Sequence, residues 1–232
     1  MNGKKYVEKA KLVDKNKSYT VADAIEMVKK TAPAKFDETI DLAMHLGVDT
    51  KKNPSIRGTV SLPGGSGKTK KIAVLTRPDH FKEAEAAGAD VVGGDDLIEK
   101  IKGGFLGFDI LIATPDMMGA AGKLGKILGT KGLMPNPKSG TVTTEIGKTV
   151  KEFKGGKVEF KMDKGGALHM VLGKVSFGSD ALASNFKTAL SAINHTKPSG
   201  LKVAFIQSIT LSSTMGPAVK VDIKKALDEV EA

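Results

Sequence analysis

Apolar and polar residues alternate strictly near the start of the chain, a pattern typical of a strand with one buried face. The apolar positions are Ile40, Leu42, Met44, Leu46 and Val48. Before them, apolar residues at helical spacing over 21–28 predict a helix, with Thr20 as its N-cap and Pro33 beyond its end. A second short strand is predicted over 57–62. The chain therefore begins with a helix and half-buried strands.

The same alternation returns in the last third of the chain. It predicts strands over 158–162, 167–172, 202–212 and 218–223, and a helix over 181–193. The two ends of the chain therefore share one α+β pattern, an antiparallel sheet with helices.

The middle of the chain follows a different pattern, in which short continuous apolar runs alternate with helical spacing. The predicted elements are strands over 72–75, 91–92 and 109–113, and helices over 80–87, 95–102 and 115–128. Short apolar strands that alternate with helices are typical of a parallel sheet covered on both faces. This segment therefore predicts a Rossmann-like α/β domain.

Glycine-rich segments mark the two places where the pattern changes. They are Pro63-Gly64-Gly65-Ser66-Gly67, the most flexible composition in the chain and a natural hinge, and Gly155-Gly156. We therefore predict an α/β protein of two domains. A discontinuous α+β outer domain comprises 1–67 and 159–232, and a Rossmann-like α/β domain over 68–158 is inserted into it. Two adjacent crossings allow such domains to swing.

The composition favours a polyanionic partner, because 36 Lys and Arg against 26 Asp and Glu give a net charge of +10. Residues 68–158 hold 15 basic and 11 acidic side chains. The flanking segments hold the remaining 21 basic and 15 acidic side chains. Both domains are basic, so charge does not locate a site. Aromatic residues are 5% and Trp is absent, which argues against a platform that stacks many bases.

Several other classes of protein are disfavoured. No apolar run of about 18 residues or signal sequence is present, which predicts a cytoplasmic protein without a membrane partner. With no Cys and four widely separated His, we expect no metal, cofactor or catalytic site. Asp95-Asp96 is better explained as an acidic helix start than as an acid-base pair.

The segment Leu62–Thr69 looks superficially like a phosphate-binding P-loop. That motif requires Gly where Leu62 stands and a helix after Lys68, whereas a strand is predicted there. We therefore interpret the segment as a hinge. The competing hypothesis, an α/β enzyme that binds a nucleotide or phosphorylated substrate in the inserted domain, depends on fold analogy and such near matches.

A second glycine-rich segment, between Asp116 and Glu145, contains no acidic residue and six glycines. Backbone can approach phosphates closely at glycine. We predict a secondary polyanion contact there, with an ordinary solvated loop as the alternative. Its basic residues are Lys123, Lys126, Lys131 and Lys138.

Four segments, taken in order, resemble the family of ribosomal protein L-one, of bacterial type. They are AKFDET at 34–39, RGTVSLP at 57–63, GTKGLMPNPK at 129–138 and TMGP at 214–217. The resemblance covers essentially the whole chain, including its interrupted layout. It implies a non-enzymatic constituent of the large ribosomal subunit, monomeric when free, whose outer domain binds the rRNA stalk beside the tRNA exit site. It also implies contact with exit-site tRNA and its release, contact with other ribosomal components, and binding of the protein's own mRNA as a translational repressor.

Carried onto this sequence, the resemblance implies a set of RNA-contact residues. They are Lys35, Phe36, Thr39, Lys161, Asp163, Lys164, His169, Thr214, Met215 and Gly216. The lysines can neutralise phosphates, the threonines can bond 2′-hydroxyls, and Gly216 lets backbone approach the RNA. Phe36 and Met215 can supply apolar contact with sugar or base, with the alternative that either is a core residue.

Overall fold

The computed structural model describes residues 3–14, 16–48, 56–198 and 204–231. The chain divides into two compact units, an outer unit of Met1–Gly67 with Gly156–Ala232 and an inserted unit of Lys68–Gly155. The second crossing lies ahead of the expected boundary at 158/159, because residues 157 and 158 already pair with the strand at 57–61. The predicted mixed α/β fold is confirmed, with an antiparallel sheet from both termini and an inserted parallel sheet.

The helices and strands follow one another along the chain in this order: α1 (Lys4–Ala10), α2 (Val21–Thr31), β1 (Thr39–Leu46), β2 (Arg57–Ser61), β3 (Ile72–Leu75), α3 (Phe81–Ala86), β4 (Val91–Gly93), α4 (Asp95–Lys102), β5 (Ile110–Ala113), α5 (Met118–Gly122), α6 (Gly125–Lys131), α7 (Ile146–Lys154), β6 (Lys157–Lys161), β7 (Ala167–Lys174), α8 (Ser179–His195), β8 (Ile206–Ser213), β9 (Val219–Val221) and α9 (Ile223–Glu231).

The outer unit is built on an antiparallel sheet of order β7-β1-β8-β9, beside a β2-β6 ribbon. The alternating apolar residues of β1 are buried on one face, in a core shared with α2 and α8. On the other face Ala43 lies opposite His169 of β7 and Thr210 of β8. We call this second face the exposed sheet face. Helices therefore cover one side of the sheet.

Local signals account for the ends of several elements. The Thr20 side chain caps α2 by accepting the Asp23 N–H at 3.2 Å, as predicted. The strand predicted over 202–212 begins at Ile206 in the structure. Residues 202 and 203 of the prediction lie outside the described residues.

Helices α1, α7 and α9 lie where no element is predicted. Of these, α1 has no buried residue, so apolar spacing could not indicate it.

The inserted unit is a parallel sheet of order β4-β3-β5 with helices on both faces. All of β3 is buried, with Ala73 and Leu75 in the core beside α4 and Ile72 and Val74 in the core beside α7. This two-sided burial explains why its strands are short continuous apolar runs.

The single helix predicted over 115–128 is wrong. The segment forms a short 3-10 helix at Pro115–Met117 followed by α5 and α6, which are separated at Lys123 and Leu124. Glycines are frequent here, and glycine loses more backbone entropy in a helix than any other residue. The low helix propensity therefore divides the segment into short helices.

We expect Gly129→Ala to raise the free energy of unfolding by about 0.5–1 kcal/mol. Gly129 lies inside α6, and a Cβ there would meet no atom within 4 Å. The matched control is Gly132→Ala, which also has open space but places Ala at a φ of +71° and should destabilise. Urea unfolding measures both variants. A destabilised Gly129→Ala would contradict the helical backbone at this position.

Candidate nucleic-acid interface

Two loops of the outer unit meet at the start of β1. Because β1 and β8 are antiparallel, the loop before Thr39 lies beside the turn after β8. The Thr39 N–H donates to Thr214 Oγ1 at 3.0 Å, and the Thr214 N–H donates to the Thr39 carbonyl at 3.0 Å. We call residues 34–39 and 214–216 the loop cluster. It brings together Lys35, Phe36, Thr39, Thr214, Met215 and Gly216.

A buried carboxylate joins the two loops. Glu38 is 1% exposed, and its Oε1 accepts the Ala34 N–H at 2.7 Å while Oε2 accepts the Met215 N–H at 2.9 Å. A buried charge is tolerated when such hydrogen bonds satisfy it. Glu38 was not predicted as a functional residue, although it lies in the AKFDET segment, directly before a buried strand.

The first loop is also attached to the end of β7. The Asp37 carboxylate accepts hydrogen bonds from the Ser176 N–H at 3.0 Å and hydroxyl at 2.8 Å. Lys174 Nζ donates to the Asp37 carbonyl at 3.0 Å and to Thr39 Oγ1 at 3.2 Å. The loop backbone is therefore held from both sides before any ligand binds.

The side chains between these anchors face solvent. Lys35 is exposed, and Phe36 and Met215 expose 58% and 57% of their surface. The alternative that Phe36 or Met215 is a core residue is therefore wrong. Large apolar side chains held outward on fixed loops are a common feature of interaction surfaces, which makes the loop cluster a candidate site.

The two threonines and the glycine of the loop cluster make close contacts within the protein. Thr39 is buried, and its hydroxyl accepts from Lys174, while the Thr214 hydroxyl accepts the Thr39 N–H and lies 3.3 Å from the Thr39 carbonyl. Both hydroxyls therefore take part in hydrogen bonds within the protein. A Cβ on Gly216 would lie 2.3 Å from Ser213 Oγ, so a larger residue there would require the Ser213 side chain to move.

A second group of predicted residues lies at the other end of β1. Asp163 Oδ1 accepts the N–H groups of Gly165 and Ala167, both at 2.8 Å, and so shapes the β6–β7 turn. The Leu46 N–H donates to the Gly166 carbonyl at 2.8 Å, which places the turn beside the end of β1. Exposed Lys161 and Lys164 flank Asp163. At about 3.3 Å per residue, β1 separates this turn from the loop cluster by about 20 Å.

His169 lies between the two groups on the exposed sheet face, opposite Ala43. His45 is exposed on the same face, opposite Ala167. His45 was not predicted, although its place in the alternation of β1 puts it on the outward side. The exposed sheet face thus connects the loop cluster with the β6–β7 turn.

The cations of this surface have no acidic partner within the described ranges. Lys35, Lys161 and Lys164 are exposed and take part in none of the ion pairs there. Lys35 beside Phe36, and Lys161 and Lys164 at the β6–β7 turn, suit a ligand that carries both phosphates and flat apolar groups.

The family model described as Ribosomal protein L1p/L10e family matches residues 28–217. The chain belongs to this family. The matched span contains the loop cluster, the β6–β7 turn and the whole inserted unit, and the family is ribosomal, structural and non-enzymatic. The competing hypothesis of an α/β enzyme is therefore wrong. Assignment to the bacterial type stays a prediction.

In this L1p/L10e family chain, the lysines predicted for a secondary polyanion contact are exposed and are spread over three segments. Lys123 follows α5, Lys126 and Lys131 lie in α6, and Lys138 lies in a short 3-10 helix at Pro137–Ser139. None of these lysines forms an ion pair with the described acidic residues.

Within the part of the chain that the structure describes, no group of three or more His, Asp or Glu side chains is arranged to hold a metal ion. None of the helices in the described ranges is long and apolar enough to span a bilayer.

Proposed function

We propose that this L1p/L10e family protein binds a folded stalk of large-subunit rRNA through the loop cluster. The observation that carries the proposal is the buried Glu38 carboxylate, which fixes both loops while Phe36 and Met215 remain exposed. A site that is ordered before binding avoids the entropy cost of ordering loops on the RNA. The family resemblance supports rRNA as the partner.

Each side chain has a distinct role in this proposal. Phe36 and Met215 contact sugar or base, and Lys35 neutralises phosphate. Thr39, Thr214 and Gly216 position the loops through their contacts within the protein. Asp163 shapes a turn from which Lys161 and Lys164 reach phosphates. His169 extends the contact along the exposed sheet face.

We further propose that the same surface binds the protein's own mRNA and so represses its translation. The resemblance supports this role, and one loop cluster cannot hold two RNAs at once. Stalk RNA should therefore displace the mRNA in a competition experiment, and simultaneous binding of both RNAs would contradict a shared site.

We also propose that the protein contacts exit-site tRNA and takes part in its release, with the exposed lysines of the inserted unit as a secondary polyanion contact. Their support is the acid-free stretch around α5 and α6 and the open space around Gly122 and Gly129. Replacing Lys126 and Lys131 should then weaken tRNA binding without changing affinity for the isolated stalk.

We expect Phe36→Ala to lower affinity for a stalk RNA fragment by about tenfold or more, because contact of an aromatic ring with a base contributes about 1–3 kcal/mol. Met215→Ala should weaken binding in the same direction. Filter binding against the stalk fragment and an unrelated duplex, at several salt concentrations, separates specific contact from counterion release.

The matched control is Phe105→Ala, which removes a phenylalanine of the inserted unit that is 41% exposed. Phe105→Ala should bind the stalk like the wild type. Unchanged affinity of folded Phe36→Ala would exclude the loop cluster as the site. Equal wild-type affinity for stalk and unrelated duplex would overturn the specific function.

A further inference from the structure

The loop cluster and the N-terminal helix α1 together line a groove. Gly3, Lys5 and Tyr6 line one side, and Pro33, Ala34, Phe36 and Met215 line the other. The volume is about 480 Å³, and the lining contains no acidic side chain. We call this the Tyr6 groove. Its α1 wall lies outside residues 28–217, the span matched by the family model.

Helix α1 gains little from the protein's own core. It is seven residues long and has no buried residue, and Val7 is 45% exposed. Its contact with α2 includes a hydrogen bond from Lys9 Nζ to the Lys30 carbonyl at 3.2 Å. Short helices are marginal in water without packing. Helix α1 therefore contributes little to the stability of the fold. Because it lies beside Phe36 and Met215, it is well placed to contribute to ligand binding.

The chemistry of the groove suits a nucleoside. Tyr6, Phe36 and Met215 offer aromatic and thioether surfaces, which bind the faces of bases. Lys4, Lys5 and Lys35 are exposed around them and can pair with the phosphates on either side of an unpaired base. Apolar walls with a cationic rim match a nucleotide within a strand.

Tyr6 is accessible for such contact. Besides the Tyr6 groove, it lines a neighbouring groove of about 320 Å³ with Ala10, Val13 and Thr210. Tyr6 is half-buried and borders both grooves, so part of its surface is open to an incoming base.

We propose that the Tyr6 groove binds one unpaired base of the bound RNA, with Tyr6 of α1 and Phe36 as its aromatic walls. This inference rests on the proposed function, because it places a further contact beside the loop cluster. It adds α1, which the family match does not include, to the RNA interface.

The test compares Tyr6→Leu, which removes the flat ring, with Tyr6→Phe, which retains it. We expect Tyr6→Leu to weaken stalk binding about tenfold and Tyr6→Phe to bind like the wild type. Val7→Ala is the matched control on the same helix, since Val7 does not line the groove. Because α1 has no buried residue, these variants should remain folded, as circular dichroism can verify.

Tyrosine fluorescence provides a second readout that a purely structural role would not change. The chain has no Trp and two Tyr, and the other one, Tyr19, is buried. Stalk RNA should quench wild-type emission and leave the emission of Tyr6→Phe unchanged, although both proteins bind.

The outcomes separate this inference from the proposed function. If the wild type binds the stalk specifically, but Tyr6→Leu binds equally well or emission is not quenched, the nucleoside site is wrong and the loop cluster stands. If the wild type does not distinguish the stalk from an unrelated duplex, both proposals fall.

Discussion

Glu38→Ala should abolish specific RNA binding and lower the free energy of unfolding by about 3 kcal/mol. The variant loses two hydrogen bonds to a charged acceptor, each contributing about 1.5–3 kcal/mol. It also leaves the N–H groups of Ala34 and Met215 without their carboxylate partner. The loops that carry Phe36 and Met215 would then no longer be tied together. Urea unfolding and stalk-RNA binding measure the two effects.

Two variants show whether the paired acceptors of Glu38 matter. Glu38→Gln keeps one oxygen for one N–H but turns an amide toward the other, so its effects should be intermediate. Glu26→Ala removes an acidic side chain of α2 that is 60% exposed, and it should behave like the wild type. Wild-type stability and affinity in Glu38→Ala would contradict the role of the carboxylate as the link between the loops.

Asn185→Ala should destabilise the outer unit by about 3 kcal/mol, because it leaves several buried backbone groups without partners. Asn185 lies in α8 and is fully buried. Its Oδ1 accepts the Gly64 N–H at 2.8 Å, and its Nδ2 donates to the carbonyls of Gly65 at 3.1 Å and Leu172 at 2.7 Å. Amide hydrogen exchange at the Gly64 N–H should also be faster in this variant than in the wild type.

Asn185→Asp tests the donors and acceptors of these hydrogen bonds, and Asn194→Ala is the matched control. Asn185→Asp keeps an acceptor for Gly64 but sets a carboxylate against two carbonyls, so it should be at least as unstable as the alanine variant. Asn194→Ala changes a half-buried Asn of the same helix and should have little effect. If the midpoint of urea unfolding is the same for Asn185→Ala as for the wild type, the Asn185 amide does not anchor the Gly64–Gly65 segment.

The Asn185 contacts also change the interpretation of the glycine-rich crossing. Composition predicts a flexible hinge at Gly64–Gly67, yet Gly64 and Gly65 are hydrogen-bonded to α8. Gly65 and Gly67 adopt φ values of +74° and +71°, and a Cβ on Gly67 would lie 2.5 Å from Lys174. These glycines are required by backbone conformation and close packing. Glycine content alone does not distinguish such a segment from a flexible one.

The candidate site was also predictable only in part, because some of its features depend on contacts between residues that are distant in the sequence. Phe36, Met215 and the lysines could be selected from short segments, because their chemistry belongs to the side chains themselves. Residues far away in the chain decide whether Phe36 is exposed. They also decide which hydrogen-bond partners Thr39 and Thr214 have. The Glu38–Met215 hydrogen bond spans 177 positions, a pairing that no local pattern specifies.

The sequence by itself determined the two-part architecture, because alternating apolar residues mark strands with one buried face and continuous apolar runs mark strands buried on both faces. It also determined the basic character of the chain and the segments that show its family. Only the tertiary structure decided that Glu38 and Asn185 hold the loops in place, that the Asp163 carboxylate shapes the β6–β7 turn, and that α1 borders the loop cluster. These roles depend on hydrogen bonds and close packing between residues that only the folded chain brings together.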